Sequence, residues 1–136
     1  LWVATAGGSV LLPGDIGSAI EAELAWRAEL PPSTVVVAPH HGSRSSSSDA
    51  LVTATGAAHV VFSAGYANPF RHPAAEVVTR WQRSGAVLWN TAEQGMLEFV
   101  LAPDGVRWLP PQRSRWRRFW QPPVPLPTGG QSTTKE

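Results

Sequence analysis

Thr34-Val35-Val36-Val37-Ala38-Pro39-His40-His41-Gly42-Ser43 is the stretch on which the reading of the fold turns. Its unbroken valine run suits a strand covered on both faces, as in a helix-flanked sheet. Two imidazoles and a glycine stand where that strand ends and a loop begins. Upstream, Leu11-Leu12-Pro13-Gly14-Asp15 has the same form, an apolar run with a carboxylate at its tip. Downstream, the apolar residues 60–63 lead into Asn68-Pro69-Phe70-Arg71-His72-Pro73. Three strand ends carrying Asp, His-His and His predict one edge of a metal site assembled from separate strands.

The rest of the chain supplies the elements between these ends. Residues 1–5 and 9–12 read as a β-hairpin across a glycine turn. Residues 17–30 read as a helix with Ile16, Ile20 and Leu24 on its buried face, and Pro31-Pro32 stops it. Residues 42–48 form a serine-rich loop, and 49–55 a short helix. Residues 74–84 follow a proline and make a second long helix, with Val77, Val78 and Trp81 facing a sheet. Residues 86–89 are a strand, and 96–101 with 106–109 form a final hairpin. The order ββαβαβαβββ predicts a mixed α/β sheet flanked by helices.

Composition narrows the chemistry. The chain has 136 residues, room for about one domain. It has no cysteine, so disulfides and thiolate metal sites are excluded, and any metal must use His, Asp or Glu. No apolar run approaches the roughly 18–20 residues that cross a bilayer. No signal peptide is visible, and the chain opens at once in a strand, as expected of a piece of a longer polypeptide. Net charge is only +1, yet the body is mildly acidic, while Arg113, Arg115, Arg117 and Arg118 gather near the end. The folded unit is expected over residues 1–109. Residues 110–136 are expected to be a basic, Pro-rich, disordered tail. That tail, with Trp116, Phe119 and Trp120, suits contact with DNA or an anionic membrane surface as well as simple solvation.

A carboxylate at a strand tip can bind one metal or bridge two, and a neutral histidine adds a nitrogen donor. Two metals can activate a water and hold both oxygens of a displaced phosphodiester. Asp15, His40 or His41, and His72 provide at most four ligands, whereas a complete dinuclear site has about six or more. Each residue also has a plainer reading. Asp15 can cap the helix after it, His40-His41 can be a solvated loop pair, and His72 can open a helix. His59 has no partner motif and reads as structural. The serine run 45–48 suits either phosphate binding or a flexible loop. A serine hydrolase at Ser43 is disfavoured by the absence of a Gly-x-Ser-x-Gly elbow.

Taken in order, Leu11-Leu12-Pro13-Gly14-Asp15-Ile16, Val35-Val36-Val37-Ala38-Pro39-His40-His41-Gly42-Ser43, the run from Phe62 to His72-Pro73, and Trp89-Asn90-Thr91 resemble the metallo-β-lactamase-like domain of the ComEC family. These are polytopic inner-membrane proteins that bring transforming DNA into bacteria. The resemblance covers roughly residues 1–100. It implies the C-terminal half of an αββα metallo-β-lactamase-like sandwich, since the family's first His/Asp ligand motif does not occur here. It also implies a site with two divalent ions, Zn or Mn, incomplete in this chain, that degrades the non-entering DNA strand. Asp15 resembles the bridging carboxylate. One of His40 and His41 resembles the last ligand histidine, His41 being preferred. Ser43, Asn68 and His72 match positions near the site that suit phosphate contacts, and His72 also suits proton donation to a leaving oxygen. DNA as substrate, a membrane reached through the rest of the parent protein, and other competence proteins follow as expected partners. The parent is expected in the inner membrane and this segment itself is expected to be soluble. The alternatives are a soluble phosphoesterase of the same fold and a catalytically dead module that binds DNA or gates a channel.

Overall fold

A computed structural model describes residues 1–116 together with Phe119, Pro123 and Val124. Strands β1 (Trp2–Thr5), β2 (Gly8–Leu11), β3 (Val35–Val37), β4 (His59–Phe62) and β5 (Val87–Asn90) form one sheet in sequence order. β1 runs antiparallel to β2, and the other three junctions are parallel. The helices α1 (Ser18–Trp26), α2 (Asp49–Thr55) and α3 (Ala75–Arg83) are the crossovers that parallel pairing demands. A one-turn helix, α4 (Thr91–Gln94), follows β5. A separate hairpin comes next, β6 (Glu98–Ala102) with β7 (Gly105–Leu109), and then a second single turn, α5 (Gln112–Arg115).

Side-chain alternation along the parallel strands creates two packed faces. Val36, Val60, Phe62 and Leu88 meet Leu51 and Val52 of α2 and Val77 and Trp81 of α3. Val35, Val61 and Trp89 face the other way and are covered by Leu97, Phe99 and Val106 of the hairpin region. The valine run of β3 is thus covered on both sides, as its composition predicts. The layers run helices, sheet, hairpin. The approach of the hairpin requires a glycine at the β1–β2 turn: a Cβ built on Gly7 would lie 1.4 Å from the Ala102 carbonyl oxygen.

Two expectations are corrected. α1 ends at Trp26, short of residue 30, because Ala28 takes a left-handed φ of 56°. The Glu29 N–H then bonds the Leu24 carbonyl and the Ala28 N–H bonds the Ala25 carbonyl, a Schellman closure. Its buried face is also different. Ile20 is half exposed, while Glu21 is fully buried beside the partly buried Leu24 and Ala25. Periodicity ranks side chains by hydropathy and cannot foresee that a carboxylate finds buried donors. The single turn α5 lies past residue 109. Most of the expected tail beyond Trp116 lies outside the described residues.

Candidate metal centre at the carboxyl edge of the sheet

Because β2 to β5 are parallel, the turns that follow them gather at one edge of the sheet, where open α/β folds bind ligands. Asp15 follows β2, His40 and His41 follow β3, the loop 64–72 follows β4, and Asn90 ends β5 with Thr91 after it. The turn after β3 is the most constrained. His40 and His41 both take left-handed φ values, 50° and 59°. Each such non-glycine residue costs about 1–2 kcal/mol. Strain of this kind persists where surrounding contacts over-determine it, and it clusters at functional sites. Gly42 completes the turn at φ 81°, where a Cβ would lie 2.8 Å from Phe62 and 2.7 Å from Pro73. No larger residue fits there.

The contacts that hold this turn also assemble the site. The His40 N–H donates to the Gly14 carbonyl at 3.1 Å, which joins the turns after β2 and β3. The N–H of Ala74 donates to the Gly42 carbonyl at 2.9 Å and ties the start of α3 to the same turn. The Ser46 hydroxyl donates to the Pro39 carbonyl at 2.8 Å. Glu21, buried on α1, accepts from the N–H groups of Ser47 at 2.7 Å and Ser48 at 2.6 Å. Arg80 of α3 reaches the Ser47 carbonyl at 2.7 Å and pairs with Asp49 at 3.1 Å. The serine run is therefore a brace: Ser46 and Ser47 are buried, and two of its amides are already taken. The sequence signal for Glu21 was a lone carboxylate near the apolar stripe of a helix, which by itself carries no information about burial.

Within this frame Asp15 approaches one histidine. The His41 Nδ1 lies 2.8 Å from the Ser63 carbonyl, so it carries a hydrogen, and the tautomer this bond selects has its lone pair on Nε2. Nε2 stands 4.0 Å from the Asp15 carboxylate. A histidine whose second nitrogen is held by a carbonyl has the orientation typical of a metal ligand. Asp15 is not the cap of α1. Gly17 occupies that position, with no side-chain cap bond, and the Asp15 side chain is 71% exposed. The His40 ring centroid lies 6.1 Å from that of His72 and 6.4 Å from that of His41.

His72 has its Nδ1 buried without a partner. Desolvation of the ring, then repulsion from His40 and His41, holds its pKa below the ordinary histidine value, so it is neutral at pH 7. Asn68 braces it. The Asn68 amide donates to the carbonyls of Gly65 (3.0 Å) and His72 (2.8 Å) and accepts from the His72 N–H at 2.8 Å. The Thr91 hydroxyl accepts from the Ala64 N–H at 3.0 Å and fixes the base of the same loop. Ser43 lies in the turn with its hydroxyl 3.1 Å from that of Ser45. His59 is structural, as its isolation in the sequence predicts. It accepts from the Trp89 indole at 3.3 Å and contacts the Phe99 ring.

Asp15 and His41 offer one carboxylate and one oriented imidazole nitrogen, a donor set that fits part of a divalent metal centre. Among the described residues, no three His, Asp or Glu side chains come together as a ligand group. No helix among them is long and apolar enough to cross a membrane.

No family model matches the chain. The chain is similar to the competence protein ComA of Neisseria gonorrhoeae, at 36% identity over 124 residues. The match takes in 89% of this chain, which spans only 17% of the length of that relative.

Proposed function

We propose that this chain is one half of a metallo-β-lactamase-like sandwich and supplies part of a divalent-metal site that hydrolyses phosphodiesters of DNA during DNA uptake. The observation that carries the reading is the approach of His41 Nε2 to the Asp15 carboxylate, with the His41 ring locked by the Ser63 carbonyl. The strain at His40 and His41, held by contacts from α1, α3 and the turn after β2, supports it. Similarity to a competence protein supports the biological setting, in agreement with the motif resemblance to ComEC. On this reading the parent protein lies in the inner membrane, and the remaining ligands come from residues outside this chain.

Bound Zn or Mn would lower the pKa of water and neutralise phosphate charge. Asp15 and His41 would hold the metal. His72, its ring centroid 6.1 Å from that of His40, has its pKa lowered by desolvation and then by His40 and His41, which suits it to accept a proton. Ser43, in the turn after β3, would offer its hydroxyl to a phosphate oxygen. Asn68 acts through the loop backbone and orients His72.

Manganese binding followed by electron paramagnetic resonance tests the pair. Asp15→Asn and His41→Gln are each expected to weaken uptake by at least roughly 10- to 100-fold. Unchanged uptake in both variants would remove the metal reading. The lack of a third ligand among the described residues favours a second reading, an inert DNA-binding module. In the full-length parent protein, Asp15→Asn abolishes DNA degradation on the first reading and leaves it intact on the second.

A further inference from the structure

The segment Trp89-Asn90-Thr91 lies at the carboxyl edge, and each of its residues is held in place. Trp89 is buried under the hairpin. The backbone ladder between β4 and β5 ends at the pair Phe62 and Asn90. There the chain turns into α4. The Asn90 side chain accepts from the Ala92 N–H at 2.9 Å, and the Asn90 N–H donates to the Gln94 side chain at 2.8 Å. These two bonds fix where α4 starts, and Thr91 is its first residue. The Thr91 hydroxyl continues the contact with β4 that the backbone has given up. It accepts from the Ala64 N–H at 3.0 Å and reaches the carbonyls of Ala64 at 2.9 Å and Phe62 at 3.3 Å. The Ala64 N–H also donates to the Phe62 carbonyl at 3.1 Å, so Ser63 is the middle residue of a three-residue turn. Thr91 grips both ends of that turn.

The Ser63 carbonyl is the group that His41 Nδ1 meets at 2.8 Å. We infer that Thr91 is a positioning residue for His41: its hydroxyl fixes the turn at Ser63, the turn aims the Ser63 carbonyl, and that carbonyl keeps the His41 proton on Nδ1 and the lone pair on Nε2, the nitrogen 4.0 Å from Asp15. The inference rests on the reading of Asp15 and His41 as metal ligands and adds the residue that orients one of them. Either nitrogen of a neutral imidazole can carry its proton, and the partner of one decides the state of the other. The His41 side chain is half exposed, so water competes for Nδ1, and a carbonyl prevails there only where it is held. On its own the turn at Ser63 has one internal hydrogen bond. The Thr91 hydroxyl adds a donor and an acceptor at once, which neither valine nor alanine can supply. The path crosses neighbouring strands: the end of β5 sets the turn after β4, and that turn sets the histidine after β3.

Nitrogen NMR of the 136-residue chain in EDTA tests this at about pH 9, where an ordinary imidazole is neutral. Long-range proton–nitrogen spectra report which nitrogen of His41 carries the proton. The wild type is expected to carry it on Nδ1. Thr91→Val keeps the shape and loses the hydroxyl. It is expected to divide the proton between the two nitrogens and, with EDTA removed, to bind manganese about 10-fold more weakly. Thr91→Ser is expected to behave as the wild type in both respects. Thr91→Ala gives the same reading where the valine variant does not fold. A wild-type His41 protonated on Nε2 would overturn the inference. So would an unchanged tautomer in a folded Thr91→Val or Thr91→Ala variant, since a residue that only steadied the loop 64–72 would leave the tautomer as it is. A shifted tautomer without manganese uptake by the wild type would remove the metal reading alone. Intact uptake with an unshifted tautomer would remove this inference alone.

Discussion

Two neighbouring segments at the carboxyl edge are held in opposite ways. The segment after β3, residues 38–48, is braced by the rest of the fold. Glu21 of α1, Arg80 of α3, the Gly14 carbonyl and the Ala74 N–H all grip its backbone. The segment after β4, residues 64–72, is held largely by itself, through Asn68 and one hydroxyl from Thr91. The first carries strained histidines and buried serines, and the second carries bare aromatic rings. On the proposed function, the difference suits the two to one site. Ligand histidines need a fixed geometry, which long-range contacts enforce at a cost in strain. An exposed loop needs no such brace, and a local clamp suffices to order it.

Removing the brace gives the largest expected effect. Glu21→Ala leaves two amides without acceptors in a buried setting, at about 1–3 kcal/mol each. Urea unfolding should show that loss. Hydrogen exchange should accelerate first at Ser47 and Ser48. A variant with unchanged stability would mean that solvent replaces the carboxylate and that the segment is not held from α1.

Asn68→Ala should cost less, about 1 kcal/mol, because the clamp is local and partly wet. Exchange should rise over residues 64–72 and stay unchanged over 38–48. If both segments loosened together, the division between a globally and a locally held loop would be wrong.

The smallest effect is electrostatic. His72 is lowered by burial and then by His40 and His41, and His59 by burial, both from an ordinary value of 6.5. A histidine with a depressed folded pKa is protonated first in the unfolded chain. These groups therefore leave stability untouched well above pH 6.5 and reduce it as pH falls below that value. Thermal midpoints measured against pH should fall in that window, and His72→Gln should make the fall shallower. A wild-type midpoint that rose on acidification would contradict the assigned direction.

Much of the fold was legible from the sequence because it rests on local rules. The valine run of β3, the glycine turn before β2, the amphipathic pattern of α3 and the final hairpin each depend on periodicity and turn chemistry. The same rules failed at α1, where the buried face includes Glu21, and they said nothing of α5 docking on α4 through Arg113. The strand-end motifs brought Asp15, His40, His41 and His72 to notice, since parallel strands place their following turns at one edge. The sequence could not separate His40 from His41.

Sequence alone determined the order of elements, the absence of thiolate chemistry and the candidate residues at the strand ends. Tertiary structure alone decided that His41 approaches Asp15, that the serine run is a brace, and that Tyr66 and Phe70 stay bare. The reason is physical. Strand and helix formation follow from neighbours in the chain, whereas the direction of a side chain in a strained turn follows from hydrogen bonds to residues 20 or more positions away, such as the one from His41 to Ser63.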